Sequence, residues 1–291
     1  MADILVVGNA TLDIVNLVDS YPREDDEVRA SAQFRRRGGN AANTAVALAQ
    51  LGHATAFAGT LADEPNGRTI LDDLTQHGVT TAHVRMIAQG KVPTSYVSLS
   101  RATGSRTIVH YRDLPEYAAT DFTCIPLEGI DWIHFEGRNL DEVRHMLRDS
   151  RTREPHVRLS LEAEKPRPGM EALFADVDVV LFSRVYARHH GFEEAAGFLH
   201  AQHARHPHAV LACGWGAEGA WAMSPAGELV STPAFPPPQM VDTLGAGDVF
   251  NAGMIDALAR GAALQDALVH AARIAGHKCG RHGIELKPEP S

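Results

Sequence analysis

The chain has 291 residues, with 27 basic and 36 acidic side chains, a net charge of −9, and 44% hydrophobic and 22% charged residues. That balance is ordinary for a globular chain and excludes disorder, collagen and coiled coil. It also argues against a nucleic acid or an anionic membrane held by bulk charge. At about 150 residues per domain, the length allows one large domain or two modest ones. Cys124, Cys213 and Cys279 are odd in number, far apart and in no CxxC pair, which reads as a reduced, cytoplasmic chain. The start, Met1-Ala2-Asp3 followed by Ile4-Leu5-Val6-Val7, reads as a first strand and not as a signal peptide. No apolar run approaches the roughly 18 residues of a membrane helix.

In chain order, Ile4 to Gly8 reads as a buried strand, and Ala41 to Leu51 as an Ala-rich helix stopped by Gly52. Thr55 to Gly59 is a strand, Gly67 to His77 a helix, Trp132 to Phe135 a strand and Asp141 to Asp149 a helix. Val157 to Glu162, Val177 to Phe182 and Ala209 to Cys213 are further strands. Strands alternating with helices imply right-handed βαβ units and a parallel sheet covered on both faces. Two stretches break the rhythm: Val28 to Arg36 and Thr94 to Tyr111 read as strands with no helix between, the second turning at Ala102-Thr103-Gly104-Ser105. They predict a small separate sheet, a lid over one edge of the main sheet, inserted at about 12–38 and 91–118 of a single 1–291 domain. Such a sheet leaves one face and its edges open, so a homodimer through the lid is expected. Pro233 to Pro238 reads as a stiff loop, and the tail after Gly283, with two prolines, as irregular.

The stretch that carries chemistry is Val241-Asp242-Thr243-Leu244-Gly245-Ala246-Gly247-Asp248-Val249-Phe250-Asn251-Ala252. A Gly-Ala-Gly turn precedes a small-residue helix running to about Arg260. Glycines admit a ligand close to the backbone, and the first helical N–H groups and the helix dipole point at it. Gly245, Ala246 and Gly247 therefore form an anion hole suited to charge developing during phosphoryl transfer. Asp248, in the first turn, is expected to be kept ionised by the dipole and to take a proton from an attacking hydroxyl. An isolated Gly-x-Gly-Asp is at least as often a plain helix entry; the longer string is far more specific.

Asp242-Thr243-x-Gly245-Ala246-Gly247-Asp248-x-Phe250 resembles the C-terminal signature of the ribokinase-type carbohydrate kinases, and Gly38-Gly39-Asn40-Ala41-Ala42-Asn43 the N-terminal one. Further segments are similar to the ketohexokinase branch of that family: 17–22, 104–108, His134-Phe135-Glu136-Gly137-Arg138-Asn139, Glu164-Lys165-Pro166-Arg167, 234–238 and 275–280. Together they span nearly the whole chain. The resemblance implies a ribokinase-like three-layer α/β/α fold with a mostly parallel central sheet and a β lid. It implies ATP-dependent phosphorylation of D-fructose at O1, with Mg2+ and with room for K+. It places Asp13, Gly39, Asn40 and Asn43 at the sugar hydroxyls. Carboxylate and amide side chains supply the acceptors and donors a polyol needs; as a plain structural residue, Asn40 would instead be an N-cap. Arg106 would reach the ATP phosphates from the lid, and is otherwise a solvated strand charge.

Gly214-Trp215-Gly216-Ala217-Glu218-Gly219 matches the dinucleotide fingerprint, but Ala220-Trp221-Ala222-Met223 behind it reads as a strand and no ribose-binding acid follows at the expected distance. An NAD site is rejected; the resemblance puts Gly216, Ala217, Glu218 and Gly219 in the nucleotide pocket. There is no Walker loop, since Gly90-Lys91 is followed by Val92. The Asn-x-x-Glu motif of many relatives is replaced by Ser183-Arg184-Val185-Tyr186, so magnesium is expected to be held mainly by phosphates and water. His200, His203, His206 and His208 are bunched near Pro207 and read as a solvated helix end rather than a metal site. Arg35-Arg36-Arg37 reads as a lid-edge charge cluster that steers locally. Two rivals remain: a related kinase for another ketose, a pentose or a nucleoside, and a non-catalytic sugar or nucleotide sensor.

Overall fold

The computed structural model describes residues 1–103 and 105–286. Gly104 of the expected hairpin turn, and both prolines of the tail, lie outside the described residues. The first half runs β1 (Asp3–Val7), β2 (Thr11–Val18), β3 (Ala32–Gly38), α1 (Asn40–Gln50), β4 (Ala54–Ala62), α2 (Pro65–Gln76), β5 (Val79–Ile87), β6 (Thr94–Ser100), β7 (Arg106–Tyr111) and α3 (Ala119–Phe122). The second half runs β8 (Trp132–Glu136), α4 (Leu140–Arg153), β9 (Arg158–Ala163), β10 (Val179–Ser183), α5 (Arg184–His189), α6 (Ala195–His203), β11 (Val210–Gly214), β12 (Ala220–Met223), β13 (Leu229–Thr232), α7 (Ala246–Ala259) and α8 (Leu264–Lys278).

Nine strands form the central sheet in the order β13-β12-β11-β10-β9-β8-β1-β4-β5. From β5 to β11 every pairing is parallel; only β12 runs against its two neighbours. The period-two alternation of the strands divides their side chains between two cores. Ile4 and Val6 of β1 pack with Ala45, Val249 and Leu268 of α1, α7 and α8 on one face. Leu5 and Val7 pack with Phe122, Val143 and Phe198 of α3, α4 and α6 on the other. Both faces are covered, so the strands read as nearly continuous apolar runs. The result is the expected three-layer α/β/α arrangement.

The remaining strands make a second sheet in the order β3-β2-β6-β7. β2 and β6 pair in parallel, and each pairs antiparallel with its outer neighbour. β2, β5, β13, α3, α5 and α8 were not anticipated in the sequence. In β2 the polar Asp13 and Asn16 interrupt the alternation, and its burial is correspondingly irregular. The expected strand over Val28 to Arg36 starts later, at Ala32, after Ser31 N closes on Leu17 O at 2.8 Å.

Candidate active site

The carboxyl ends of β1, β8 and β9 and the amino ends of α1 and α7 meet on one side of the central sheet. This is where open parallel sheets place their ligands, because the loops there diverge around a crevice. Gly245 is the N-cap of α7, and its φ of 79° favours glycine and turns the chain into the helix. Helix geometry leaves the amides of Gly247 and Asp248 without an acceptor four residues back. The space a Cβ would take on Gly247 is empty out to 4 Å. The Ala246 amide is not free in the same way, since it lies 3.3 Å from Thr243 O.

Asp248 is 6% exposed and accepts from Asn43 Nδ2 at 2.6 Å. Arg37 in turn donates to Asn43 Oδ1 and to Asp73. Burial pushes the Asp248 carboxyl up to about 7, against the pull of the Asn43 amide; the charges of Glu164 and Glu136 add to the rise and that of Arg37 opposes it. The expectation that the helix dipole keeps this group ionised is therefore corrected to a carboxyl raised by burial. Loss of hydration outweighs a partial charge, and the carboxylate stands near the neutral pKa suited to a general base.

Two carboxylates that sequence reasoning missed lie beside it. Glu162, at the end of β9, takes Asn40 Nδ2 at 3.2 Å and Asn251 Nδ2 at 2.9 Å. Burial, then the charges of Asp248, Glu136 and Glu164, raise it well above the ordinary carboxylate range. Glu136, at the end of β8, accepts the Asn9 amide at 2.8 Å and the Ala41 amide at 3.4 Å, and is also raised, first by burial. The signal was present: each is an acid at the carboxyl end of a buried strand of the central sheet. Asn40 does not cap α1. Gly39 occupies the N-cap, and the Asn40 amide reaches across to Glu162 instead.

Asp13 projects from β2 and accepts from Thr11 Oγ1 at 3.0 Å. A Cβ on Gly38 would lie 2.2 Å from Asp13 Oδ2, so this glycine makes room for the carboxylate. Arg106 of β7 is exposed and lies 3.4 Å from Thr243 Oγ1, beside the glycine turn. Gly216, Ala217 and Glu218 form one 3-10 turn after β11, with Gly219 behind it. Gly214, just before, lies against Phe250 of α7. The structure thus forms two neighbouring hydrogen-bonded groups, Asn40–Glu162–Asn251 and Arg37–Asn43–Asp248, related by the charge of Asp248 on Glu162, with Arg106 beside the glycine turn. Arg36 and Arg37 are paired with Asp242 and Asp73 within the fold, while Arg35 stays exposed and donates to Asn66. The clustered histidines turn to separate partners: His200 to Ala196 O, His208 to Phe174 O, and His206 edge-on to Phe174. Among the described residues no group of three or more His, Cys, Asp or Glu side chains could hold a metal ion, and no helix is long and apolar enough to cross a membrane.

The model of the pfkB family of carbohydrate kinases matches residues 1–290, and the chain belongs to that family: it is a phosphotransferase that acts on a sugar hydroxyl. Its likeness within the family is to ketohexokinase. It is 42% identical to the ketohexokinase of Mus musculus over 290 residues, 97% of each chain. The ribokinase of Bacillus subtilis is 28% identical over 94% of this chain and 92% of its own. Two solved structures share the fold. A putative ribokinase from Agrobacterium tumefaciens has a TM-score of 0.84 at 23% identity, covering 97% of this chain and 92% of that one. The Arabidopsis thaliana ribokinase complexed with ribose and ATP has a TM-score of 0.81 at 21% identity, covering 99% and 96%.

Proposed function

We propose that the chain is an ATP-dependent ketohexokinase that phosphorylates D-fructose at O1, giving fructose 1-phosphate and ADP. The observation that carries the reading is the buried Asp248, held by Asn43 at 2.6 Å at the mouth of an open glycine turn. The 42% identity to a ketohexokinase over nearly the whole chain supports the choice of acceptor.

Asp13, Gly39, Asn40 and Asn43 hold the sugar hydroxyls, and Asp248 accepts the proton of the primary hydroxyl as it attacks the γ-phosphate in line. Gly245, Ala246, Gly247 and the start of α7 stabilise the charge on the transferring group. Arg106 and the Gly216 to Gly219 turn contact the nucleotide. Magnesium enters with ATP as part of the substrate, its coordination met by phosphate oxygens and water, which suits its slow dehydration. Residues 1–291 act as one catalytic domain, with the four-stranded sheet as its lid. Tyr96 and Val109, cross-strand neighbours at 50% and 66% exposure, support a homodimer through that sheet. Free thiols at all three cysteines support a reducing, cytoplasmic setting.

A kinetic panel of fructose, other ketoses, pentoses and nucleosides with Mg–ATP, with the product position assigned by phosphorus NMR, tests the reading. Fructose with phosphate on O1 as the preferred outcome supports it. Preferred turnover of a pentose or nucleoside moves the chain to a related kinase, and fructose binding without turnover makes it a sensor. Exchanging K+ for Na+ in the same assay tests the monovalent-cation expectation.

A further inference from the structure

The residue that opens the glycine turn is bonded more heavily than the turn itself. Asp242 is 6% exposed. Its Oδ1 accepts the Leu244 amide at 2.9 Å, and its Oδ2 accepts Arg36 Nη1 at 2.6 Å and the Gly283 amide at 3.2 Å. Lys278, wholly buried in the last turn of α8, donates to the Asp242 carbonyl at 2.7 Å and lies 3.2 Å from Oδ2. The Val241 and Asp242 amides close on Cys279 O at 2.8 and 3.1 Å. Three separate segments thus converge on one carboxylate.

The two cations differ in kind. Lys278 belongs to the helical layer and its side chain is wholly buried. Arg36 belongs to β3 of the lid, with a side chain 22% exposed. It stands opposite Asp13 in the β2–β3 register, so one rung of the lid carries both the sugar-site carboxylate and the tie to the glycine turn. Phe34 of the same strand stacks on His282 at 5.4 Å. Burial alone would raise Asp242, yet Arg36 and Lys278 outweigh it and hold the carboxyl below its ordinary range. A buried carboxylate with one permanent partner keeps its charge when the other leaves; without the first it would be an uncompensated buried ion.

We propose that Asp242 is a positioning residue whose carboxylate, kept charged by buried Lys278, is the receptor for Arg36, so that Arg36–Asp242 forms an ionic latch coupling the lid to the phosphate turn. The tie acts on the reaction by registering Asp13 and its sugar against Gly245 to Asp248 when the latch is made. The role in catalysis rests on the kinase reading above; the latch itself does not.

The test uses the full chain with Arg36→Ala, Arg36→Gln and Arg36→Lys. Hydrogen exchange without ligands reads the latch independently of activity. Faster exchange in both 32–38 and 241–247 is expected for Arg36→Ala and Arg36→Gln, with Arg36→Lys close to wild type. In steady state, loss of one charge-assisted hydrogen bond is expected to lower kcat/KM for the sugar about tenfold or more, with Lys restoring most of it. A rise confined to 32–38, with 241–247 unchanged, overturns the coupling. Unchanged kcat/KM alongside faster exchange in both segments overturns the catalytic role and leaves the latch. A wild-type chain with no kinase activity but the same exchange pattern tells against the function, not the latch. Lys278→Met is the second variant: if it folds, faster exchange at 241–247 is expected even with Arg36 present, and unchanged exchange there contradicts the receptor role.

Discussion

Replacing Asn43 by alanine removes the one amide that donates to Asp248 Oδ2, at 2.6 Å, and leaves Arg37 with its partner Asp73. The Asn43 hydrogen bond favours the charged carboxylate and so opposes the rise that burial causes. A hydrogen bond to a charged group is worth about 1.5 kcal/mol or more, and one pKa unit is about 1.4 kcal/mol. The Asp248 carboxyl, which burial holds at about 7, should therefore move up by about one unit in the variant. At pH 7 the ionised fraction falls from about one half to about one tenth, so kcat at saturating sugar falls about fivefold and is recovered by pH 9, while the lost Asn43 contact to the sugar raises KM at every pH. The assay is the pH dependence of kcat at saturating sugar and Mg–ATP, with ADP release as the signal. An acid limb that stays in place, or moves to lower pH, refutes the assignment of that limb to Asp248.

Three further outcomes follow from other parts of the molecule. Gly38→Ala puts a Cβ 2.2 Å from Asp13 Oδ2; sugar KM should rise by about a hundredfold while ATP binding changes little, and an unchanged KM removes Asp13 from the sugar site. Asp256 is held well below the ordinary carboxylate range by hydrogen bonds from His270, Arg260 and His53, which outweigh its burial. Its contribution to stability is thus complete above the unfolded-state pKa and is lost as pH falls through the folded one. Asp256→Ala should cost about 3 kcal/mol at pH 7 and flatten the acid limb of the stability curve, as denaturant titration across pH will show. Val109→Glu, on the exposed face of β7, should convert a dimer to a monomer at micromolar concentration in light scattering; a wild-type monomer under the same conditions rules out the lid dimer.

The α/β layering was legible because parallel strands buried on both faces write themselves as short apolar runs between helices. Asp248 and the Gly245 to Gly247 turn were legible because donors, turn and carboxylate lie within four consecutive residues. What surrounds them was not, since it is assembled over long separations. Glu162 meets Asn40 across 122 residues and Asn251 across 89, and Asp242 meets Arg36 across 206. The raised carboxyl of Asp248 was not legible for a related reason. A helix end is a local feature, whereas burial depends on everything packed around it, and here burial is the larger effect. Asn40 likewise has the residue type of an N-cap, but the positive φ of Gly39 gives that place to the glycine and turns the amide to Glu162.

Asp248→Asn tests the central claim most directly, because the amide keeps the shape of the side chain and removes its capacity to take a proton. The account predicts that fructose-dependent ADP formation falls by about a thousandfold, while fructose binding measured by calorimetry is largely retained. Turnover near the wild-type rate would contradict it.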